Sequence, residues 1–215
     1  MSPAGTSSIL TRSPGHEIFT MMEFRAMILK RLAIHFALIV SVSAIDLAAQ
    51  ETQFPMPKKE HVWLQQFAGE WDSTSKSVAT ADHPAMQFSG KFESRMVGGF
   101  WVLNEMTADT GDVQFIGIQT IGYDEEKKKY VGTWIDSMMN HMWKYEGTLD
   151  DSGKKLSLLA EGPNMLKPGT TATYRDSYEF KSKDHIIATS EMKNEDGEWL
   201  TFMTGDLKRR VRDSQ

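Results

Sequence analysis

From Glu70 to Lys208 apolar side chains recur at every second position in ten short runs, and each run is broken by turn chemistry. A period of two puts successive side chains on opposite faces of a strand, so each run has one wet face and one buried face. Residues 86–97 show it most clearly: Met86, Phe88, Phe92 and Met96 alternate with Gln87, Ser89, Lys91, Glu93 and Arg95. The other runs are predicted at 70–78, 100–107, 112–122, 129–137, 141–149, 154–161, 171–181, 184–194 and 198–208. Gly98-Gly99, Asp124 to Lys128, Asp150 to Gly153, Ser182 to Asp184 and Asn194 to Gly197 suit tight hairpins. Short connections between many strands predict an all-β fold: a single antiparallel up-and-down barrel of about ten strands, closed so that no edge is left exposed. One helix precedes it. Lys58 to Ala68 carries Val62, Trp63, Leu64 and Phe67 at helical spacing and ends at Gly69. So short a helix needs a surface to dock on, and we expect it to close the bottom of the barrel.

The first fifty residues have a different character. Arg25, Lys30 and Arg31 precede the apolar run Leu32 to Val42, and small residues follow as far as Ala49. That order is the pattern of a secretory signal peptide. The apolar run is short for a membrane span, which needs about 20 residues. The sequence therefore predicts cleavage near Ala49, a periplasmic or extracellular protein and no stable membrane insertion afterwards. Met22 or Met27 would each give a conventional start to the signal, so we expect translation to begin internally. The predicted organisation is 1–49 extension and signal peptide, 50–57 spacer, 58–210 β-barrel domain and 211–215 tail.

Composition narrows the function classes. The chain of 215 residues has no cysteine, which removes disulfides, thiolate metal sites and cysteine nucleophiles. Its net charge of -5 argues against nucleic acid as a partner. His61, His83, His141 and His185 show no ligand spacing on one element, so no metal is predicted. No glycine-rich phosphate loop opens a helix, and no serine sits in a nucleophile elbow.

Strand parity in a meander separates a floor from a mouth. If Glu70 starts at the bottom, the tight charged turns fall there, and the longer connections with Pro84, Pro163 and Pro168 fall at the top. Met138, Met139, Met165 and Leu166 lie in the top loops and form either an apolar portal or a simple cap on the core. The last strand ends beside Trp71, where Lys208, Arg209 and Arg210 either cover the indole, with Arg209 as the barrel-closing partner, or form a frayed basic tail.

Alternation also selects inward polar groups near the mouth. Lys144 and Glu146 face water, which sends His141, Trp143 and Tyr145 inward. Trp134 shares a face with Asp136. Tyr174, Asp176, Tyr178 and Phe180 share a face opposite Arg175, and we read the aromatic face as inward; the opposite choice would bring Arg175 inside. Asp136 and His141 flank one hairpin, as a carboxylate–imidazole pair for acid–base work or as a hydrogen-bonded rim pair. These residues are the expected ligand contacts, with no catalytic residue assigned.

Gly69-Glu70-Trp71, after a short helix and opening the first strand, resembles the Gly-x-Trp signature of the lipocalin-like (calycin) barrels. A closer resemblance spans almost the whole domain. It is carried by His61-Val62-Trp63-Leu64, Gly122-Tyr123-Asp124, Thr133-Trp134-Ile135-Asp136-Ser137-Met138, Tyr145-Glu146-Gly147-Thr148-Leu149-Asp150, Tyr174-Arg175-Asp176 and Thr201-Phe202-Met203-Thr204. On these residues the chain is similar to the bacterial family numbered 1579 among the domains of unknown function. The resemblance implies a compact, often exported β domain and brings no activity. Related ten-stranded barrels hold a haem by one histidine, which would make His141 the candidate; otherwise no cofactor is expected.

Three functions fit this reading. The leading one is an exported barrel that binds a small hydrophobic or amphipathic molecule, such as a lipid or aromatic metabolite. The second is an enzyme of the same fold that uses Asp136 and His141 for proton transfer or hydrolysis. The third is a solid-core barrel acting as an envelope interaction module. An empty cavity of roughly 300 Å³ or more separates the first two from the third.

Overall fold

The alternating runs form ten antiparallel strands. They are β1 (Gly69–Ser77), β2 (Gln87–Val97), β3 (Trp101–Asp109), β4 (Gln114–Asp124), β5 (Lys129–Asp136), β6 (Met139–Leu149), β7 (Lys155–Pro163), β8 (Thr171–Ser182), β9 (His185–Lys193) and β10 (Trp199–Arg209). The computed structural model describes residues 54–79, 84–109 and 114–211. Each strand pairs with its sequence neighbour, and β1 pairs with β10, so the sheet closes into a barrel. The predicted signal segment, its cleavage site and the internal start lie outside the described residues. Among the described residues no helix is long and apolar enough to cross a membrane.

The closing seam explains the Gly-x-Trp motif. Trp71 and Arg209 are register partners across β1 and β10. The Arg209 guanidinium lies 4.0 Å from the centre of the Trp71 ring. It also donates to the carbonyls of Ala68 at 2.6 Å and Gln66 at 2.8 Å, while Trp71 Nε1 donates to Phe67 O at 2.8 Å. Gly69 adopts φ +131°, and a Cβ there would lie 2.4 Å from Arg209 Nη1. Glycine supplies both the backbone conformation and the space for the guanidinium.

The helix α1 (Lys59–Leu64) is followed by a 3-10 turn, Gln65–Phe67. Together they plug the floor. Trp63 Nε1 donates to Gly153 O at 2.8 Å, and Tyr130 Oη donates to Glu60 O at 3.2 Å. Both are contacts to bottom residues, as the parity argument requires. One part of the helical reading is corrected: Val62 is 51 % exposed, whereas His61, Leu64 and Phe67 are buried. The buried positions 61, 64 and 67 run at a spacing of three from the α-helix into the 3-10 turn, and 62 falls outside that line. A single neutral tautomer of His61 satisfies both its bonds: Nδ1 accepts from Lys58 N–H at 3.0 Å and Nε2–H donates to Tyr123 O at 3.2 Å.

Below mid-height the barrel is solid. Trp71, Phe67, Leu64, Ile121, Leu156, Leu158, Ile186 and Val102 are all fully buried there. Edge-to-face contacts of Phe67 with Tyr178 and Phe180, at 5.3 and 5.1 Å, join the helix to the barrel core. Tight floor packing of this kind leaves any space for a ligand above it.

Candidate functional site

That space is a cavity of about 900 Å³ in the upper half of the barrel. Its two walls differ in side-chain size. β5, β6 and β8 contribute Trp134, Trp143, Tyr145, Tyr174 and Tyr178, whereas β1 and β9 contribute Ser73, Ser75, Ala188 and Ser190, with Phe202, Met203, Gly205 and Leu207 of β10 between them. Small side chains on β1 and β9 across from the large rings leave the barrel hollow here. The bulky wall is fixed by close ring–backbone packing. A Cβ on Gly162 would lie 2.1 Å from Trp143, and one on Gly117 would lie 2.3 Å from Trp134, so each indole rests where only glycine leaves room. Trp143 meets Tyr174 edge-to-face at 4.8 Å.

The cavity floor is polar and hydrogen-bonded. Tyr145 Oη donates to Asp176 Oδ2, and Ser190 Oγ donates to Asp176 Oδ1 at 2.6 Å. Beside them Tyr178 Oη and Asn104 Nδ2 both donate to Gln119 Oε1, at 3.1 and 2.9 Å. Burial pushes the Asp176 carboxyl above the usual carboxylate range, and the Ser190 and Tyr145 hydrogen bonds pull the other way. Burial also raises the Tyr145 phenol well above its ordinary value; the Asp176 charge adds to this and the Gln119 amide opposes it. Tyr178 is raised by burial and the same carboxylate. These phenols therefore stay protonated and act as donors. They present Asp176 as an acceptor to whatever enters from above.

The family model of proteins of unknown function designated DUF1579 matches residues 56–209, the helix and the whole barrel. The chain belongs to the DUF1579 family. No curated protein matches it. Among solved structures, Rv2717c from M. tuberculosis is similar at 10% identity with a TM-score of 0.52, covering 73% of this chain and 100% of that one. The S-type phycobiliprotein lyase CPES from Guillardia theta is similar at 13% identity with a TM-score of 0.43, covering 73% and 100%. At these identities the first likeness concerns the fold.

Six of the residues expected from the sequence line the cavity of this DUF1579 barrel: Trp134, Asp136, Trp143, Tyr145, Tyr174 and Asp176. Met138, Met139 and Met165 line its mouth. Tyr174 ties the longest described top loop to this rim. Its hydroxyl donates to Pro163 O at 2.6 Å and accepts from Met165 N–H at 3.3 Å. Leu166 does not join the portal. It is 67 % exposed and absent from the lining, and its backbone N–H donates to Asn164 Oδ1 at 2.9 Å.

Two further expectations are resolved by orientation. Arg175 takes the outer face of β8, where Glu191 binds it at 2.6 Å and its guanidinium lies 4.1 Å from the centre of the Trp199 ring. Asp136 and His141 form no acid–base pair. Asp136 Oδ1 accepts from the backbone N–H groups of Met138 and Met139 at 2.8 and 3.0 Å, and Oδ2 accepts from Trp134 Nε1 at 2.8 Å. The carboxylate caps the β5–β6 turn and orients an indole. His141 packs edge-on against Trp143 at 4.8 Å, and its buried Nε2 has no hydrogen-bond partner.

A haem iron would need His141 to present a nitrogen to the cavity. His141 is absent from the cavity lining, so the residues present do not fit that group. Among the described residues no group of three or more histidine, aspartate or glutamate side chains is placed to hold a metal ion.

Ser190 and the serines of β1, which line the cavity, and Asn104 and Gln119, which form the hydrogen-bonded pair behind Tyr178, were not anticipated. One signal for them exists in the sequence: each is polar at a position whose strand neighbours two residues away face inward. Asn104 sits between Val102 and Met106, and Gln119 precedes Ile121, all inside the barrel. Reading that signal requires knowing the inward face of β3, β4, β9 and β10 first.

Proposed function

We propose that this protein is a small-molecule-binding barrel, exported from the cytoplasm, whose upper cavity holds a partly apolar ligand with a polar end. The observation that carries this reading is the cavity of about 900 Å³ with aromatic walls above a hydrogen-bonded carboxylate. A space of that size sits at the upper end of small-molecule sites, which combine apolar lining with a few placed polar groups. Empty volume of that extent also disfavours a barrel filled by its own side chains. Trp134, Trp143 and Tyr174 would grip the apolar body, Asp176 would orient the polar end, and Met138, Met139 and Met165 would adapt the mouth to it. The unpaired geometry of Asp136 and His141 gives no support to catalysis by that pair.

Native mass spectrometry of the protein purified from its own host tests the reading. A bound species of small-molecule mass, released on denaturation and absent after delipidating washes, is expected. Protein that carries no ligand, combined with flat thermal-shift screens against lipids and aromatic metabolites, contradicts it. Separating periplasmic or secreted fractions from cytoplasm tests export independently.

A further inference from the structure

The charged residues of inward strand parity that line the cavity are both carboxylates, Asp136 and Asp176. Asp109 also borders it, but is exposed and has the outward parity of β3. The one basic residue in the lining, Lys91, is exposed and has the outward parity of β2, where its charge acts on Asp72. Residues 80–83 and 110–113, outside the described residues, contain no lysine or arginine. Lys167 in the longest described top loop pairs with Glu195 at 2.9 Å. No described cation is therefore turned into the cavity to neutralise a ligand carboxylate or phosphate.

Asp176 has the opposite need. It receives one O–H donor on each oxygen, from Tyr145 and Ser190. Two converging donors are the pattern of an ionised carboxylate, which only accepts. An ionised group facing an apolar space is costly unless a countercharge meets it. Among the described residues none is supplied, and the cavity around it is lined by the aromatic side chains of Trp143, Tyr145 and Tyr174, a residue class whose rings attract cations through their quadrupoles.

Resting on the binding function proposed above, we infer that the cavity selects ligands that carry a protonated amine, with the ammonium at Asp176 and the apolar body along the aromatic wall. Acids of the same skeleton are excluded, because they would place a second negative charge against Asp176 without a partner. The two inward carboxylates, Asp136 and Asp176, also favour entry of cations.

A matched series tests this: decylamine, decanol and decanoic acid, titrated by calorimetry into the wild-type protein at neutral pH, below micellar concentrations. The amine is expected to bind at least about tenfold more tightly than the alcohol, and the acid more weakly than the alcohol. Asp176→Asn is expected to bring the amine within about twofold of decanol in the same variant, with a cooperative thermal melt reporting that the variant is folded. Decanoic acid binding as tightly as the amine, or an amine preference that survives in Asp176→Asn, would overturn the amine selectivity and leave the binding function standing. If decanol and both charged ligands fail to bind the wild type, the binding function itself falls along with the selectivity.

Discussion

The phenol of Tyr145 on β6 reaches past β7 to donate to the carboxylate of Asp176 on β8. Removing that donor leaves Asp176 with Ser190 alone in a desolvated position. Tyr145→Phe is therefore expected to cost about 1–3 kcal/mol, the usual penalty for stripping a partner from a buried polar group. Urea unfolding followed by tryptophan emission measures it. A cost indistinguishable from zero would mean that the pair is not a fixed part of the cavity floor.

The same carboxylate sets a pH dependence. The folded state holds the Asp176 pKa above its ordinary 3.8, mainly by burial. A raised carboxyl contributes stability that is fully present below 3.8 and is lost as pH rises through the folded value. Asp176→Asn does not titrate, so the melting temperature of the variant minus that of the wild type should increase between about pH 3 and about pH 7. Calorimetric melts across that range check the sign. A difference that falls with rising pH contradicts the assignment.

The floor seam gives a separate stability test. Arg209 joins Trp71, Ala68 and Gln66 through one side chain. Charged hydrogen bonds and a ring contact of this kind give an expected loss of about 2–4 kcal/mol for Arg209→Ala. Gly69→Ala is also expected to destabilise the wild type, since a Cβ would lie 2.4 Å from Arg209 Nη1 at φ +131°. Part of that cost should vanish in the Arg209→Ala background, leaving the backbone strain. Fully additive costs in the double-mutant cycle would show that the guanidinium and the glycine are not coupled.

The seam and the strands were legible because their signals are local. Period-two alternation gives β2, β6 and β8 with their inward faces, and turn residues mark their ends. Trp71 and Arg209 could be joined because a closed meander returns the last strand to the first. The polar pair behind Tyr178, Asn104 and Gln119, was hidden by an inversion of polarity on β4. Ile116 faces outward at 39 % exposure, while Gln119 is fully buried. A strand that turns isoleucine to solvent and glutamine to the core defeats a rule based on hydrophobicity. Asp136 illustrates a different limit. Its position at the mouth followed from strand parity, but its hydrogen bonds follow from the β5–β6 turn it caps, and these take the oxygens that a pairing with His141 would need.

Access to the cavity is the central claim, and a filled variant tests it most directly. Ser75 on β1 lies between register partners Phe88 and Gly205 and lines the cavity on its small-residue side. A phenylalanine there would occupy space that the wild type leaves open. Nile red, a neutral apolar dye, should bind the wild type saturably with one site and a blue-shifted emission. Ser75→Phe should keep the wild-type melting temperature within a few degrees and lose most of that binding. Dye binding that is absent in the wild type, or undiminished in a folded Ser75→Phe protein, would contradict the account.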